Sequence, residues 1–451
     1  MKFDRNQIKD ILKLAWPAIV QEAMGVVVVY ADTAMVGQLG ANASAAVGLT
    51  STFSWLISSV CVGFGVGILA VVAKANGSKN QEKVSIAGTQ AFYTTLLLGL
   101  FLTITCLLIS PYLPSWLKGD PIIRKDASIY FAITSLSLIF RTAILVLASA
   151  LHGVQNMKTP MIINVVTNCL NIIFNLILIY PSHNYFGFQL YGANLGIKGA
   201  AIATSLAYTI GGMLMFKVYF KNHHLNFKNY GLKYNQTIMH ECLDISLPVV
   251  LERTVICFGH ITFSSLIANL GVIPFAAHTI AIQAEQAFYI PGYGFQSSCA
   301  TLVGNAIGQK DEKKVSETTY TISSLSFAIM TVCGILLFIF ATPIMALFTP
   351  DKQVIKLGAT VLRIVAFSEP IFGVLCNLEG TFNGLGDTKA PFIFSLFTMW
   401  FIRVLGTYIV INIFHLGLQA VWVMMVIDNI TRCGLLIARF KRGSWKGRLE
   451  F

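Results

Sequence analysis

Residues 58–81 read SSVCVGFGVGILAVVAKANGSKNQ, and residues 289–312 read YIPGYGFQSSCATLVGNAIGQKDE. Laid over each other they put Gly63 on Gly294, Ala75 on Ala306, Gly77 on Gly308 and Lys79 on Lys310, an offset of 231 residues. The same offset carries Leu12 to Leu243, Pro17 to Pro248, Leu39 and Gly40 to Leu270 and Gly271, and Ala45 to Ala276. It still holds at Gly153 and Gly384, and where Lys158 and Pro160 meet Lys389 and Pro391. Apolar helices match one another often by chance, but an ungapped register from Leu12 to Pro160 marks an internal duplication.

The duplicated unit is apolar. Of the 451 residues 55% are hydrophobic and 12% charged, against roughly 25% charged in a soluble domain. Stretches 92–110 and 323–347 hold no Asp, Glu, Lys or Arg. Runs of that length read as membrane-crossing helices, since about 20 helical residues cross the hydrocarbon layer. No alternating strand pattern suggests a barrel. The expected spans are 11–36, 43–73, 88–110, 127–152, 159–181, 195–219, 242–268, 275–305, 318–346, 358–383, 391–413 and 416–438. The expected fold is therefore an all-α membrane protein, twelve transmembrane helices in two six-helix lobes. Six spans per unit insert both units in the same orientation, so a pseudo-two-fold axis runs along the membrane normal, as in transporters with parallel repeats.

A net charge of +12 would suggest nucleic acid in a soluble protein, but here its placement argues otherwise. Lys and Arg gather in alternate connections: Lys2, Arg5, Lys9 and Lys13; Lys74, Lys79 and Lys83; Lys158; Lys217, Lys221, Lys228 and Lys233; Lys310, Lys313 and Lys314; Lys389; and the tail from Arg439 to Arg448. The positive-inside rule makes that side cytoplasmic, both termini included. The domain reading is 1–220 for the N-lobe, 221–240 for a basic cytoplasmic loop, 241–438 for the C-lobe and 439–451 for a basic cytoplasmic tail. Nine cysteines sit singly in apolar segments, without metal-ligand spacing, and read as packing residues. No Walker A sequence, nucleophile motif or phosphate-cradling loop is present, so neither ATP use nor enzyme chemistry is expected. The 1–13 segment reads as charged and mildly amphipathic rather than as a cleavable signal.

Asp32 lies about midway along the first span, between VVVVY and TAMVG. A carboxylate there costs about 2.5–3.5 kcal/mol on insertion scales, so it faces a cavity or a partner, where it can take a proton or hold a cation. In span five, Asn168, Asn171 and Asn175 share a helical face by their three- and four-residue spacing. Their amides suit either Na⁺ coordination or interhelical hydrogen bonds worth about 0.6–2 kcal/mol each. Glu252, repeat partner of Gln21, adjoins Arg253 and reads as an ion-pair or lobe-contact residue, or as a second acid. Glu369 and Glu379 lie on roughly one face of span ten, Glu379 as the structural member of the two. Arg141 and Arg403 need carboxylate or carbonyl partners. Asp428 and Arg432 are spaced to pair with each other, and His260 and His278 read as hydrogen-bonded helix residues. Phe288, Tyr289, Tyr293 and Gln283 are candidate cavity-lining residues for flat cations. In the same segment Pro291, Gly292 and Gly294 are expected to interrupt the helix.

The motifs YADTAMVGQLG (30–40), AVVAKANGSKNQEKV (70–84), HGVQNMKTP (152–160), NGLGDTKAP (383–391), NVVTNCLNIIFNLILIY (164–180) and GIKGAAIAT (196–204) together resemble the multidrug and toxic compound extrusion (MATE) family across essentially the whole chain. The resemblance implies a secondary active antiporter of the inner membrane, exporting cationic or amphipathic small molecules in exchange for H⁺ or Na⁺ by alternating access. It implies no cofactor, no ATP, no nucleic-acid partner and a monomer in the lipid bilayer. Asp32 matches the family's N-lobe ion or proton acid, Asn171 and Asn175 match positions near it, and Thr204 completes the cluster. These are the expected coupling residues, and the first three the expected Na⁺ ligands. Asn175 stands where some members carry Asp. NorM-like members carry acids where this chain has Ile256 and Phe372, so the pattern lies nearer the DinF-like branch. Glu252 and Glu369 are the remaining candidates for a second acid or substrate contact. The alternative is a lipid-linked saccharide flippase of the same superfamily.

Overall fold

The computed structural model describes residues 5–185, 188–225 and 227–449. Lys2 and the last two residues of the basic tail lie outside them. In chain order the helices are α1 Arg5–Gly37, α2 Ala41–Gly77, α3 Gln81–Ile109, α4 Leu113–Trp116, α5 Pro121–Ser135, α6 Leu138–Gly153, α7 Lys158–Ile179 and α8 Gly196–Lys221. There follow α9 Phe227–Tyr230, α10 Gln236–Ala268, α11 Val272–Gly308, α12 Glu312–Phe348, α13 Lys352–Ala366, α14 Glu369–Leu385, α15 Lys389–Phe397, α16 Leu405–Asn412 and α17 Leu418–Lys441. A π-helical stretch, Thr398–Val404, joins α15 to α16. Strands β1 Pro181–Tyr185 and β2 Phe188–Ala193 form an antiparallel hairpin, Pro181 opposite Ala193, between α7 and α8.

The duplication is written into the helix ends. Shifting α1 by 231 residues gives the bounds of α10, and shifting α2 gives those of α11. The connections repeat too: Gly40 and Gly271 both have φ near +108°, a conformation that disfavours a side chain, and Lys79 and Lys310 share φ +56°. Packing follows the same rule. In one half α2 packs on α3 and α6, in the other α11 packs on α12 and α14, and the halves meet through α2 on α10 and α1 on α11.

Among the described residues, eight single helices are long and apolar enough to span a membrane, and two bent pairs bring the number to ten. The other two long helices, α10 and α11, have 33 and 37 residues and carry Glu252, Arg253 and Glu285 internally. They complete the twelve. The fourth and tenth spans, expected as single helices, are bent instead: α5 meets α6 at 50° and α13 meets α14 at 56°. The breaks fall at repeat-equivalent places, with Ser137 at one and Ser368 at the other. Each hydroxyl bonds back to a carbonyl of the preceding turn, Ser137 to Thr134 at 3.0 Å and Ser368 to Val365 at 2.9 Å, which competes with the helical ladder. Pro370, just inside α14, removes a further donor.

At Pro291–Gly294 the expectation of an interrupted helix fails. The helix α11 runs unbroken through both, and the glycines serve close packing instead. A Cβ on Gly294 would strike Ile19, and one on Gly63 would strike Val250. These two contacts are repeat images of each other. A second reciprocal pair sits at the lysine-rich end, where Gly77 lies against the Asn305 carbonyl and Gly308 against the Lys74 carbonyl. Asn76 donates to Asn305 across the same crossing at 2.6 Å, and Asn305 donates to the Gly153 carbonyl at 3.1 Å. Burial follows this closure: α2 is dense with buried residues from Ile57 to Gly77 but has only Ala46 and Thr50 before that. The halves thus meet closely at the lysine-rich end, and further along Tyr30 of α1 donates to the Gln283 carbonyl of α11 at 2.6 Å.

Of the nine cysteines, all free, seven are buried, as packing residues would be. In the connection at 221–240, Leu225 and Phe227 are buried, and Tyr219 of α8 donates to the Gly88 carbonyl at 2.8 Å.

Candidate functional site

Within the first half, small residues set the spacing between α7 and α8. A Cβ on Gly199 would strike the Leu178 carbonyl and one on Gly211 the Thr167 hydroxyl, so these helices lie unusually close. That brings Thr204 of α8 to Asn171 of α7. On the other side Tyr180, just past α7, donates to the Met35 carbonyl at 2.8 Å and holds α1 against α7 one turn beyond Asp32.

These contacts assemble four of the sequence-selected residues into one chain. Asn175 Nδ2 donates to Asp32 Oδ1 at 2.6 Å and to Asn171 Oδ1 at 3.2 Å, and Asn171 Nδ2 donates to Thr204 Oγ1 at 3.1 Å. Asp32 is half-buried, whereas Asn175 is 1% exposed. The acid therefore stands at the mouth and the amides behind it. Asn175 Oδ1 is buried without a hydrogen-bond partner among the described residues. An orphaned amide oxygen beside a carboxylate is a hard-ligand set that suits a monovalent cation, and the same carboxylate can take a proton. Asn168 turns away, donating to Asn164 at 2.8 Å.

The second half holds a different arrangement. Glu252 is buried and accepts from Ser395 Oγ at 2.6 Å. Arg432 reaches the same serine at 3.4 Å and forms an ion pair with Glu379 at 3.7 Å, and Gln296 donates to the other Glu379 oxygen at 3.1 Å. Asp428 makes its close ion pair with Arg403, at 2.7 Å, and not with Arg432, four residues on as the spacing suggested. The π-helical turn accounts for this: Arg403 lies in it and faces α17. Arg403 thus finds the partner it needs, whereas Arg141 lies over the face of Tyr208, 5.3 Å away, with no carboxylate paired to it among the described residues.

Glu369 is fully buried, and among the described residues neither of its oxygens has a hydrogen-bond partner. It lies within electrostatic reach of Glu285, which accepts from the Tyr289 hydroxyl. Sequence reasoning passed over Glu285, although an acid inside an apolar helix was signal enough. Of the four candidate lining residues, Tyr293 and Gln283 are exposed. Tyr289 stacks on Phe372 at 4.1 Å, and Phe288 packs against the second half's core, so these two face inward. Among the described residues both ring nitrogens of His278 lack hydrogen-bond partners, contrary to the hydrogen-bonded reading, because the ring is wedged edge-on between Phe263 and Trp422.

Twelve spans in two pseudo-symmetric lobes, with polar chemistry held inside each lobe, define a membrane carrier. The chain belongs to the MATE family, whose members are transporters and not enzymes: the MatE family model matches it twice, over residues 17–177 and 248–409. It is similar to a probable multidrug resistance protein NorM of Thermotoga maritima, 26% identical over 98% of this chain and 93% of that protein. It is also similar to the probable multidrug resistance protein YoeA of Bacillus subtilis, 24% identical over 85% of this chain and 82% of the relative. Among solved structures, a MATE protein in complex with MaL6 superposes with a TM-score of 0.89 at 22% identity, covering 98% of this chain and 97% of the other. A multidrug resistance MATE transporter in an outward-facing conformation gives 0.86 at 22% identity, over 99% and 98%.

Proposed function

We propose that this chain is a secondary active antiporter that expels cationic or amphipathic small molecules in exchange for H⁺ or Na⁺. The observation that carries the reading is the hydrogen-bonded chain from Asp32 through Asn175 and Asn171 to Thr204, with its acid at the mouth and an orphaned amide oxygen behind. An ion arriving at Asp32 must compete with the Asn175 amide hydrogens for the carboxylate. Its binding therefore shifts α7 relative to α1, and that movement is what couples the ion to the lobes. Membrane potential adds about 2.3 kcal/mol per charge per 100 mV to inward ion movement.

The lobes are 1–220 and 241–438, joined by a cytoplasmic loop at 221–240 and followed by a basic tail at 439–451. Both termini lie in the cytoplasm, the membrane is the inner one, and the monomer works without ATP. With Ile256 and Phe372 in place of acids, coupling is concentrated at Asp32 in the DinF-like manner, while Glu252 is held by Ser395 and serves the C-lobe frame. The multidrug-resistance names of the relatives favour efflux over saccharide flipping. The test is ethidium efflux from proteoliposomes under an imposed pH gradient and, separately, a Na⁺ gradient, for wild type and Asp32→Asn. Efflux driven by one gradient and lost in the variant is the expected result. Wild-type protein that moves no ethidium under either gradient overturns the reading.

A further inference from the structure

The end of the second half away from the lysine-rich side carries positive charge that the coupling chain does not use. Helix α12 starts beside Lys310 and, 37 residues later, finishes at Phe348 on the opposite side, where α13 turns back against it. Between the two helices lies an open cavity of about 400 Å³, lined by Thr342 of α12 and by Lys352, Lys356, Thr360 and Arg363 along one face of α13. Among the described residues no carboxylate comes within 4.0 Å of these three cations. The acid beside them, Asp351, turns Oδ1 onto the amides of Gln353 and Val354 at 2.8 and 3.3 Å and so caps α13.

Long basic side chains near a helix end ordinarily reach out to water. Arg363 does not. Its Nη2 donates to Thr342 Oγ1 at 3.1 Å, and its guanidinium lies over the Phe338 ring at 5.9 Å. Thr342 stands about 9 Å short of the end of α12, and Phe338 a turn deeper. The surface around them is apolar and faces lipid: Phe338 is 41% and Phe367 74% exposed, with their rings 5.5 Å apart. The guanidinium is thus held sideways at the edge of the lipid-facing belt, and a fixed charge there has to be met by water or an anion. The duplicated fold does not require it. At the 231-residue offset Lys352 and Arg363 fall on Pro121 and Ala132, and only Lys356 has a basic counterpart, Lys125.

We propose that this groove holds the phosphate of an anionic glycerophospholipid from the leaflet away from the lysine-rich end. The phosphate sits among Lys352, Lys356 and Arg363, and the acyl chains run down over Phe338 and Phe367. The occupant is a lipid and not a soluble phosphate, because the cations border directly on exposed aromatic surface that only an amphiphile covers. So seated, it ties α12 to α13, the outer arm of the span that bends at Ser368. The site is independent of which molecules the carrier expels.

The test is native mass spectrometry and thermal unfolding of delipidated protein in a neutral detergent. The protein is titrated with dioleoyl phosphatidylglycerol, dioleoyl phosphatidylcholine or glycerol 3-phosphate. Wild type should bind phosphatidylglycerol about tenfold more tightly than phosphatidylcholine, and its melting temperature should rise with the former. Arg363→Gln combined with Lys356→Gln should weaken phosphatidylglycerol about 30-fold, the loss of two cations at the headgroup, and abolish the rise. Three substitutions at the opposite end, Lys217→Gln, Lys221→Gln and Lys233→Gln, should leave the tight binding and the rise unchanged. Should the groove variant fail to fold, Lys352→Gln with Lys356→Gln, both at exposed positions, carries the same comparison. Two lipids bound alike, groove substitutions that weaken binding no more than the distant ones, or glycerol 3-phosphate held as tightly as the lipid would overturn the proposal.

Discussion

A single methyl group at residue 308 should redistribute the protein between its conformations. A Cβ at Gly308 meets the Lys74 carbonyl, with the Lys74 carbonyl carbon at 2.9 Å and the Ser78 amide nitrogen at 2.8 Å. These are backbone atoms, which cannot rotate aside as a side chain would. In Gly308→Ala the crossing of α2 and α11 must therefore open, or absorb the overlap at about 1–3 kcal/mol. Because Gly77 presses on Asn305 at the same crossing, opening also weakens the 2.6 Å Asn76–Asn305 hydrogen bond. A penalty of about 1–3 kcal/mol on one of two conformations lowers its ratio to the other roughly 5- to 150-fold. Thr301, fully buried near this crossing, reports the change: as Thr301→Cys, its labelling by a membrane-impermeant maleimide from the lysine-rich side should accelerate by up to that factor in Gly308→Ala. The engineered thiol is read against the same protein without it, since nine native cysteines are present. Gly77→Ala should act alike, being the other half of the contact. Labelling unchanged in both would refute the argument that this crossing closes the lysine-rich end.

Three further outcomes are expected. Arg403→Met strands the buried Asp428 and should cost about 3–5 kcal/mol, seen as a lower melting temperature in detergent, with most of the loss restored in the double variant with Asp428→Leu. Asn175→Leu leaves Asp32 Oδ1 and Asn171 Oδ1 without their donor and should cost about 1–3 kcal/mol by the same assay, together with loss of gradient-driven efflux. Lys74→Met removes a half-exposed pair with Glu241 and should change stability by less than about 1 kcal/mol, an effect that added salt should diminish further.

The repeat register was legible because glycine and proline report backbone geometry directly, and backbone geometry is what a duplicated fold preserves. The bends at Ser137 and Ser368 were not, since a serine bends a helix only when its hydroxyl turns back onto the preceding carbonyls, a choice made by neighbouring helices. Pro291 misled for the opposite reason: the surroundings keep the helix continuous where the residue alone argues for a break. In the candidate site, spacing placed the span-five asparagines on one face, but the contact between Asn175 and Asp32 joins helices 143 residues apart and came only through the family resemblance. The partners of Glu252 and Asp428 were hidden likewise, because each lies on another helix.

The ion pairs fall very unevenly between the halves. Among the described residues, none joins two members of the first half, while Arg403–Asp428, Arg432–Glu379 and Arg439–Asp387 tie α17 to its neighbours in the second. Buried charges held this way resist small displacements, because a separated pair loses its partner before it can regain water. Amide bridges such as those around Asn171 and Asn175 can exchange partners at little cost. Two copies of one architecture have thus been given different mechanical characters. The second behaves as a stiff chassis and the first as a compliant element, which would concentrate deformation in the half that contains Asp32.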